Sequence, residues 1–536
     1  MIAWVALTAG AVYVYTQLPT SFLPSEDSGN LMVMAQLPAG ATKERTDKTV
    51  EGLEKTAMSF PEVQDIITVS GFSFTGSGQN MAMGFVILKD WQERLDMSKS
   101  EPFIKRLIAG DVLHDATIVV KKMTGALLTN GAVKDGFAIA INPPAIRELG
   151  NGGVEFYIQD RNSGGHDALL AKRNELIAKM RESGLFGDTR ASGLEDAPQL
   201  QLTIDRETAA AQGVSLASIR STLATALGGS YVNDFPNNGR LQKVMVMADE
   251  TGRMQDEEIL SLPVTNNAGV AIPLSTFVKK EWKVGMQQSV RFNGYPAMQI
   301  STTPSGVSSG VAMAKIQELM KDIGGGNYSV EWAGQSREEA KGSSETTLVY
   351  ALAAMAIFLV LAALYESWAI PLSVLMVAPL GFLGVVLGVW MRNRFNMSLG
   401  IPIEYANDIY FVVGMITVVG LSAKNAILII EFAKDLQEEG KTPFQAALDA
   451  AHLRFRPILM TSFAFILGVV PLYFSSGASA ASQRAIGTTV FWGMTIGTLF
   501  SVFLVPVFYV FVRKFFKGKG HRRNAREAAT DAGLPL

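Results

Sequence analysis

Five apolar runs crowd the last third of this chain, and each is long enough to cross a hydrocarbon core of ~30 Å. They are Thr346–Leu364, Ala369–Met391, Ile409–Ala433, Pro457–Phe474 and Gly487–Val512. A sixth run, Ile2–Gln17, opens the chain and falls a little short of that length. Residues 18–345, between it and the others, have the composition of a soluble domain, so the pattern is one span, a large domain, then five spans. A mean hydropathy of +0.21 over 536 residues is what such a mixture requires. The first run has no basic stretch before it, so it is not a signal peptide. It reads as a membrane helix interrupted by the start of the chain, which predicts a segment upstream. The alternative is an intact short anchor.

Basic residues in short loops set the orientation. The tail carries Arg513, Lys514, Lys517, Lys519, Arg522 and Arg523, and the loop before the fourth of the five runs carries Lys434, Lys441, Arg454 and Arg456. Both read as cytoplasmic, which puts the large domain outside. Arg392 and Arg394 fall on the outer side and conflict with this assignment. A net charge of −2 gives no reason to expect nucleic acid as a partner. With no cysteine and four histidines, disulfides and thiolate metal sites are excluded and a histidine metal site is not expected.

The large domain alternates strand and helix patterns. Asn30–Leu37 reads as a strand, Lys43–Met58 as a helix, and Val63–Gly71 and Met81–Leu88 as strands. A second set is Val154–Gln159, helix His166–Ser183 and strand Gln199–Asp205; a third is Pro296–Thr302, helix Val311–Ile323 and strand Tyr328–Trp332. Such units suggest ferredoxin-like βαβ subdomains. Ser215–Val264 interrupts them, and Leu227–Phe235 within it suits a long hairpin.

One residue carries the chemistry. Lys424 lies at least nine residues from either end of its apolar run. A lysine at such depth costs from about 3 kcal/mol upward and normally faces a carboxylate. The other five runs hold no Asp, Glu or His, and Glu431 lies two turns along the same helix. The partner is therefore expected on helices outside this chain. Protonating such a carboxylate frees the ammonium, which is how a proton gradient drives helix movement. The alternative is a lysine that snorkels to an interface. Arg454 and Thr461, seven residues apart, share a helix face; Arg454 is equally well read as an ordinary cytoplasmic anchor.

The runs Gly420–Leu436 and Arg454–Leu472 resemble membrane spans of RND hydrophobe/amphiphile efflux transporters of the AcrB/MexB type. So do Phe22–Gly29, Gln36–Thr42, Gly193–Gln199, Leu227–Phe235 and Leu361–Trp368. The resemblance implies the C-terminal half of a twelve-span pump: a membrane helical bundle with a large α+β periplasmic domain. Lys424, Arg454 and Thr461 then match the family's proton relay, whose paired aspartates lie in the first half. Gly71–Gly76 resembles the mobile switch loop between two drug pockets, with Phe72 and Phe74 as its aromatics. Phe85 and Ile67 match pocket walls. Met32, Met34 and Gln36 match an entrance strand, and Phe156, Arg190 and Ser192 match entrance-pocket positions. Taken without the resemblance, each such Met or Phe is more often core. The outer loop Met391–Asp408 is longer than in AcrB.

The implied division is 1–17 truncated span, 18–135 porter subdomain, 136–205 and 286–343 the two parts of a second, 206–285 docking insert, 344–513 five spans and 514–536 cytoplasmic tail. The implied activity is proton:drug antiport in the bacterial inner membrane, with no cofactor. The implied partners are the missing first half with its Asp pair, two further copies in a homotrimer, a periplasmic adaptor, an outer-membrane channel and small amphiphilic substrates. An ATP-driven pump is disfavoured because the P-loop is absent: Asp435 stands where Gly440-Lys441-Thr442 needs a glycine. Gly306–Gly310 fits a hydrolase elbow by letter only. A scaffold has no use for Lys424. A metal or lipid exporter of the same superfamily is the remaining alternative.

Overall fold

The computed structural model describes residues 2–73, 76–97, 99, 113–129, 136–144, 146, 153–305, 307–399, 401 and 403–515. The tail beyond 515 and Phe74 lie outside them. Helix α1 (Ile2–Thr16) leads into a segment that runs beside residues 407–409: Asn407 N donates to Pro19 O, and Ser21 N to Asn407 O.

The first sheet takes β1 (Asn30–Gln36), β2 (Val63–Ser73), β3 (Gly76–Leu88) and β4 (Phe137–Ile141), in the order β2-β3-β1-β4, all antiparallel. Helix α2 (Lys43–Met58) joins β1 to β2; α3 (Trp91–Met97) and α4 (Ala116–Thr129) lie between β3 and β4. The apolar stripe of α2 (Val50, Leu53, Ala57) and that of α4 (Val119, Met123, Leu127) pack on Leu31, Val33, Ala35, Val86 and Ala138. Each fully buried Val, Leu or Met among them contributes roughly 1.5–3 kcal/mol. These helices cover one face of the sheet. Period-two alternation sends Met32, Met34, Phe85 and Ile139 to the other.

The second sheet begins with β5 (Val154–Asp160), α5 (His166–Glu182) and β6 (Phe186–Ser192). Strand β6 was not foreseen in the sequence; Gln199–Asp205 was expected in its place. That stretch is instead β7 (Ala197–Ile204), which pairs with β12 (Val278–Gly285) and belongs to a separate compact unit, Leu194–Gln288. This unit also holds α6 (Arg206–Ala211), α7 (Leu216–Leu223), α8 (Asp256–Ser261), the short pair β10 (Pro263–Thr265) and β11 (Ala271–Pro273), and a hairpin of β8 (Ser230–Asn237) and β9 (Arg240–Val246). Every residue of β8 and β9 is exposed. The hairpin falls where Leu227–Phe235 suggested one.

The chain then returns to the second sheet through β13 (Arg291–Phe292), β14 (Tyr295–Pro304), α9 (Ser309–Gly324) and β15 (Tyr328–Trp332). Strand β14 pairs with β5 and β6, and β15 with β5, so the order is β6-β14-β5-β15. Ser308 caps α9 by accepting from Val311 N, so the serines of Gly306–Gly310 start a helix.

Helices α10 (Gly334–Leu364), α11 (Ala369–Leu375), α12 (Ala378–Ser398), α13 (Ile409–Glu438), α14 (Pro443–Tyr473) and α15 (Ala480–Phe515) complete the chain. Among the described residues, four helical stretches are long and apolar enough to cross a membrane: Ile370–Ser398, Ile409–Glu438, Pro443–Tyr473 and Ala480–Lys514. Ile2–Thr16 and Ala354–Leu364 are apolar but shorter. Helix α14 starts well before its apolar run because Thr442 caps it, accepting from Gln445 N, with Pro443 in the first turn. Glycines let α12 approach α15 closely: a Cβ on Gly384 would lie 2.9 Å from Gly493 O. Of the two arginines that conflicted with the orientation, Arg392 is withdrawn from water, whereas Arg394 is exposed. Arg392 is buried between the rings of Tyr473 (3.9 Å) and Tyr405 (4.3 Å) and donates to Thr488. Arg394 lies over Trp390.

Candidate functional site

Lys424 stands near the middle of α13, roughly 20 Å from either end of that helix. Its ammonium lies 5.9 Å from the centre of the Phe465 ring on α14. No carboxylate among the described residues is within ion-pair range of it. Lys424 is exposed in this chain, as are Met460, Phe463 and Phe465 of α14. Apolar side chains suit lipid on such a face, but a charge there does not.

The next residue along points inward. Asn425 Nδ2 donates to Ser462 Oγ at 3.3 Å, and Thr498 Oγ1 donates to the same oxygen at 3.1 Å. All three are buried, so a polar contact joins α13, α14 and α15 at the level of Lys424. Thr461 is next to Ser462 and hence lies at that level too; its hydroxyl donates to Ile458 O at 3.1 Å. Arg454 lies about two turns away along α14, its guanidinium 3.4 Å from the centre of the Phe432 ring, with Nε buried and unpartnered. Pro457 removes one helical hydrogen bond between Arg454 and Thr461. The sequence reading missed the Asn425–Ser462–Thr498 contact. Its signal was present: small polar residues at helical spacing in apolar runs.

The expected pocket residues divide by sheet face. On the first sheet, Ile67, Phe85, Met32 and Ile141 form one cross-strand row, and Val69, Met83, Met34 and Ile139 the next. Met81, Gln36 and Phe137 make a third. Ile67, Met32, Met34, Gln36 and Phe85 thus share the face that α2 and α4 leave open. Ile67 is 59% exposed and Phe85 40%, an unusual display for such side chains. Phe72 is half-exposed near the tip of the β2–β3 hairpin. Within the expected loop Gly71–Gly76, Phe72 pairs with Ser77 and Ser73 with Gly76, while Phe74 and Thr75 lie outside the described residues.

On the second sheet the three entrance residues separate. Arg190 and Ser192 lie opposite Ser301 and Gln299, with Arg190 donating to Asp188 at 2.6 Å and Ser192 to Ser301 Oγ at 3.3 Å. Phe156 points to the other face. It is wholly buried, packed edge-on against Trp332 in the core under α5 and α9, and so makes no pocket wall in this structure.

Apolar spans joined to sheet-rich domains, with a lysine midway along one span, make this a membrane-spanning chain with large domains outside its spans. The description of the AcrB/AcrD/AcrF family matches residues 1–513, and the chain belongs to that family. It is 43% identical over 525 residues to the multidrug export protein AcrF of Escherichia coli (strain K12), covering 97% of this chain and 48% of that protein. It is 40% identical over 523 residues to the multidrug/solvent efflux pump membrane transporter MepB of Pseudomonas putida, covering 97% of this chain and 47% of that one. The multidrug resistance protein MdtF of Escherichia coli (strain K12) is 39% identical, at 96% and 47% coverage. The chain therefore spans about half the length of the curated relatives it matches.

Proposed function

We propose that this chain works as the relay-bearing part of a proton-driven exporter of amphiphilic compounds in a bacterial inner membrane. The observation that carries the proposal is Lys424, a charge at mid-membrane depth on a face that only an acidic neighbour makes tolerable. Its carboxylate partner is an aspartate pair on the first-half helices that the resemblance implies. With the aspartates ionised, the ammonium pairs with them. When a proton neutralises one, the ammonium turns away, and Thr461 and the buried Asn425–Ser462–Thr498 contact offer it oxygens at the same level. Arg454 raises the local potential on the cytoplasmic side and speeds proton release there.

Cargo meets the open face of the first sheet. Methionine and aromatic side chains adapt to varied greasy molecules because neither imposes directional bonds. The two βαββαβ units, with matching strand order, are ferredoxin-like porter subdomains on the periplasmic side. Unit Leu194–Gln288 is the docking insert, whose exposed hairpin reaches a second copy in a homotrimer. Ile2–Thr16 and the helix ending at Leu364 are the first two of six spans. A periplasmic adaptor and an outer-membrane channel complete the route out.

The test is Lys424→Ala in the full-length pump. Dye and drug efflux are expected to fall to the level of cells without the pump, with membrane insertion unchanged. Efflux at the wild-type rate in that variant refutes the relay.

A further inference from the structure

The motif Phe22–Gly29 has no part in the relay or in the cargo face, yet each of its two central acids bonds to residues far away in the chain. Glu26 reaches the membrane bundle. Its Oε1 accepts from Ser482 N at 2.8 Å and its Oε2 from Ala481 N at 3.1 Å, the free amides at the start of α15. Asp27 reaches the first sheet. It takes both ends of the Arg94 guanidinium, at 2.6 and 3.2 Å, and its Oδ2 accepts from Ala116 N at 2.9 Å, the start of α4. Asp27 is 5% exposed and Arg94 1%. Arg94 in turn donates to Lys89 O and His114 O, so the turn after β3 is locked to the same carboxylate. Asn142, just past β4, donates to Glu26 O at 2.9 Å.

A longer-range electrostatic influence also acts between the same two helix starts. Arg484, buried in the first turns of α15, is close enough for its charge to act on Asp115, which immediately precedes α4. Helix α15 carries Thr498 of the polar contact beside Lys424. Helix α4 packs behind β4 and β1, whose opposite face carries Met32, Met34 and Ile139. Charge-assisted bonds of this kind are short and roughly twice as strong as neutral ones.

We infer that Glu26 and Asp27 are positioning residues that fasten the start of α15 to the start of α4, so that a shift of the membrane helix is passed to the cargo face. The inference rests on the transport reading above. It differs from the relay in that neither acid lies in a span or touches cargo.

The experiment compares wild type, Glu26→Ala and Glu26→Gln in the full-length pump reconstituted in lipid vesicles. Hydrogen exchange reads the amides directly. Losing the cap is expected to speed exchange at Ala481 and Ser482 about tenfold, and also to speed it at Ala116, which Glu26 does not touch. Efflux of a fluorescent amphiphile is expected to lose most of its maximal rate with an unchanged half-saturating concentration. Glu26→Gln, which keeps one acceptor oxygen, is expected to restore part of the rate. Faster exchange at Ala481 and Ser482 with Ala116 unmoved reduces Glu26 to a simple helix cap and overturns the inference. So does full efflux in Glu26→Ala. A wild-type protein that exports nothing overturns the transport reading, while exchange at Ala116 still decides whether the two helices are fastened through Glu26.

Discussion

Asp115 shows how one buried carboxyl records its surroundings. Burial pushes its pKa up from 3.8 to about 6, and the nearby charge of Asp27 adds to the rise; bonds from Thr117 and the charge of Arg484 oppose it. The folded chain thus holds this proton more tightly than the unfolded chain. Stability from this group falls as pH rises from about 4 to about 6, and the loss persists above. Asp115→Asn keeps an acceptor for Thr117 and removes the charge. It is expected to be more stable than wild type at pH 7 by up to about 3 kcal/mol and equal to it near pH 4. Thermal unfolding in detergent at both pH values checks this, and a variant weaker at pH 7 contradicts it. Lys424 was legible as an oddity because its cost depends on depth alone, and depth is a count along an apolar run. Arg392 was not legible. Its two tyrosine neighbours come from different parts of the chain, and nothing near it in sequence announces them.

At the scale of elements, the close contact of α12 with α15 depends on glycine. A Cβ on Gly388 would collide with Trp492, whereas one on Gly468 meets nothing within 4 Å. Gly388→Leu is expected to destabilise the bundle by about 1–3 kcal/mol, and Gly468→Ala to be neutral or slightly stabilising. Unfolding midpoints in one detergent compare them; equal midpoints would remove the packing argument. Helix α2 and strand β15 were read from sequence to the residue, since amphipathic spacing and turn residues bound both. Strand β6 was missed because Phe186–Ser192 is mostly polar and small, and it becomes a strand only by pairing with β14. The start of α14 was missed for a related reason: its first turns mix apolar with polar and charged residues, so no continuous apolar run marks them.

Across the whole molecule, the proposed cargo face is an arrangement of three cross-strand rows rather than a motif. Phe85→Ala is expected to alter resistance to bulky aromatic compounds while sparing others, because Phe85 stands exposed between Ile67 and Met32. Phe156→Ala, made for contrast, empties part of a core and is expected to cost about 3–5 kcal/mol of stability. Minimum inhibitory concentrations for a panel of compounds, read beside expression levels, separate the two. If both variants lowered every resistance in proportion to expression, the face would have no claim on cargo. The family resemblance named residues of both kinds together. Alternation along β1, β3 and β5 decides which of them face the covering helices and which do not, and alternation matters only once the helices have chosen a face.

Chain order and chemistry alone determined the apolar spans, the βαβ units and the solitary lysine, since each is a property of consecutive residues. Which side of each sheet stays open, which acids fasten which helices, and what neutralises a buried arginine were decided by tertiary structure. These depend on partners tens to hundreds of residues apart, and a linear pattern carries no record of such distances.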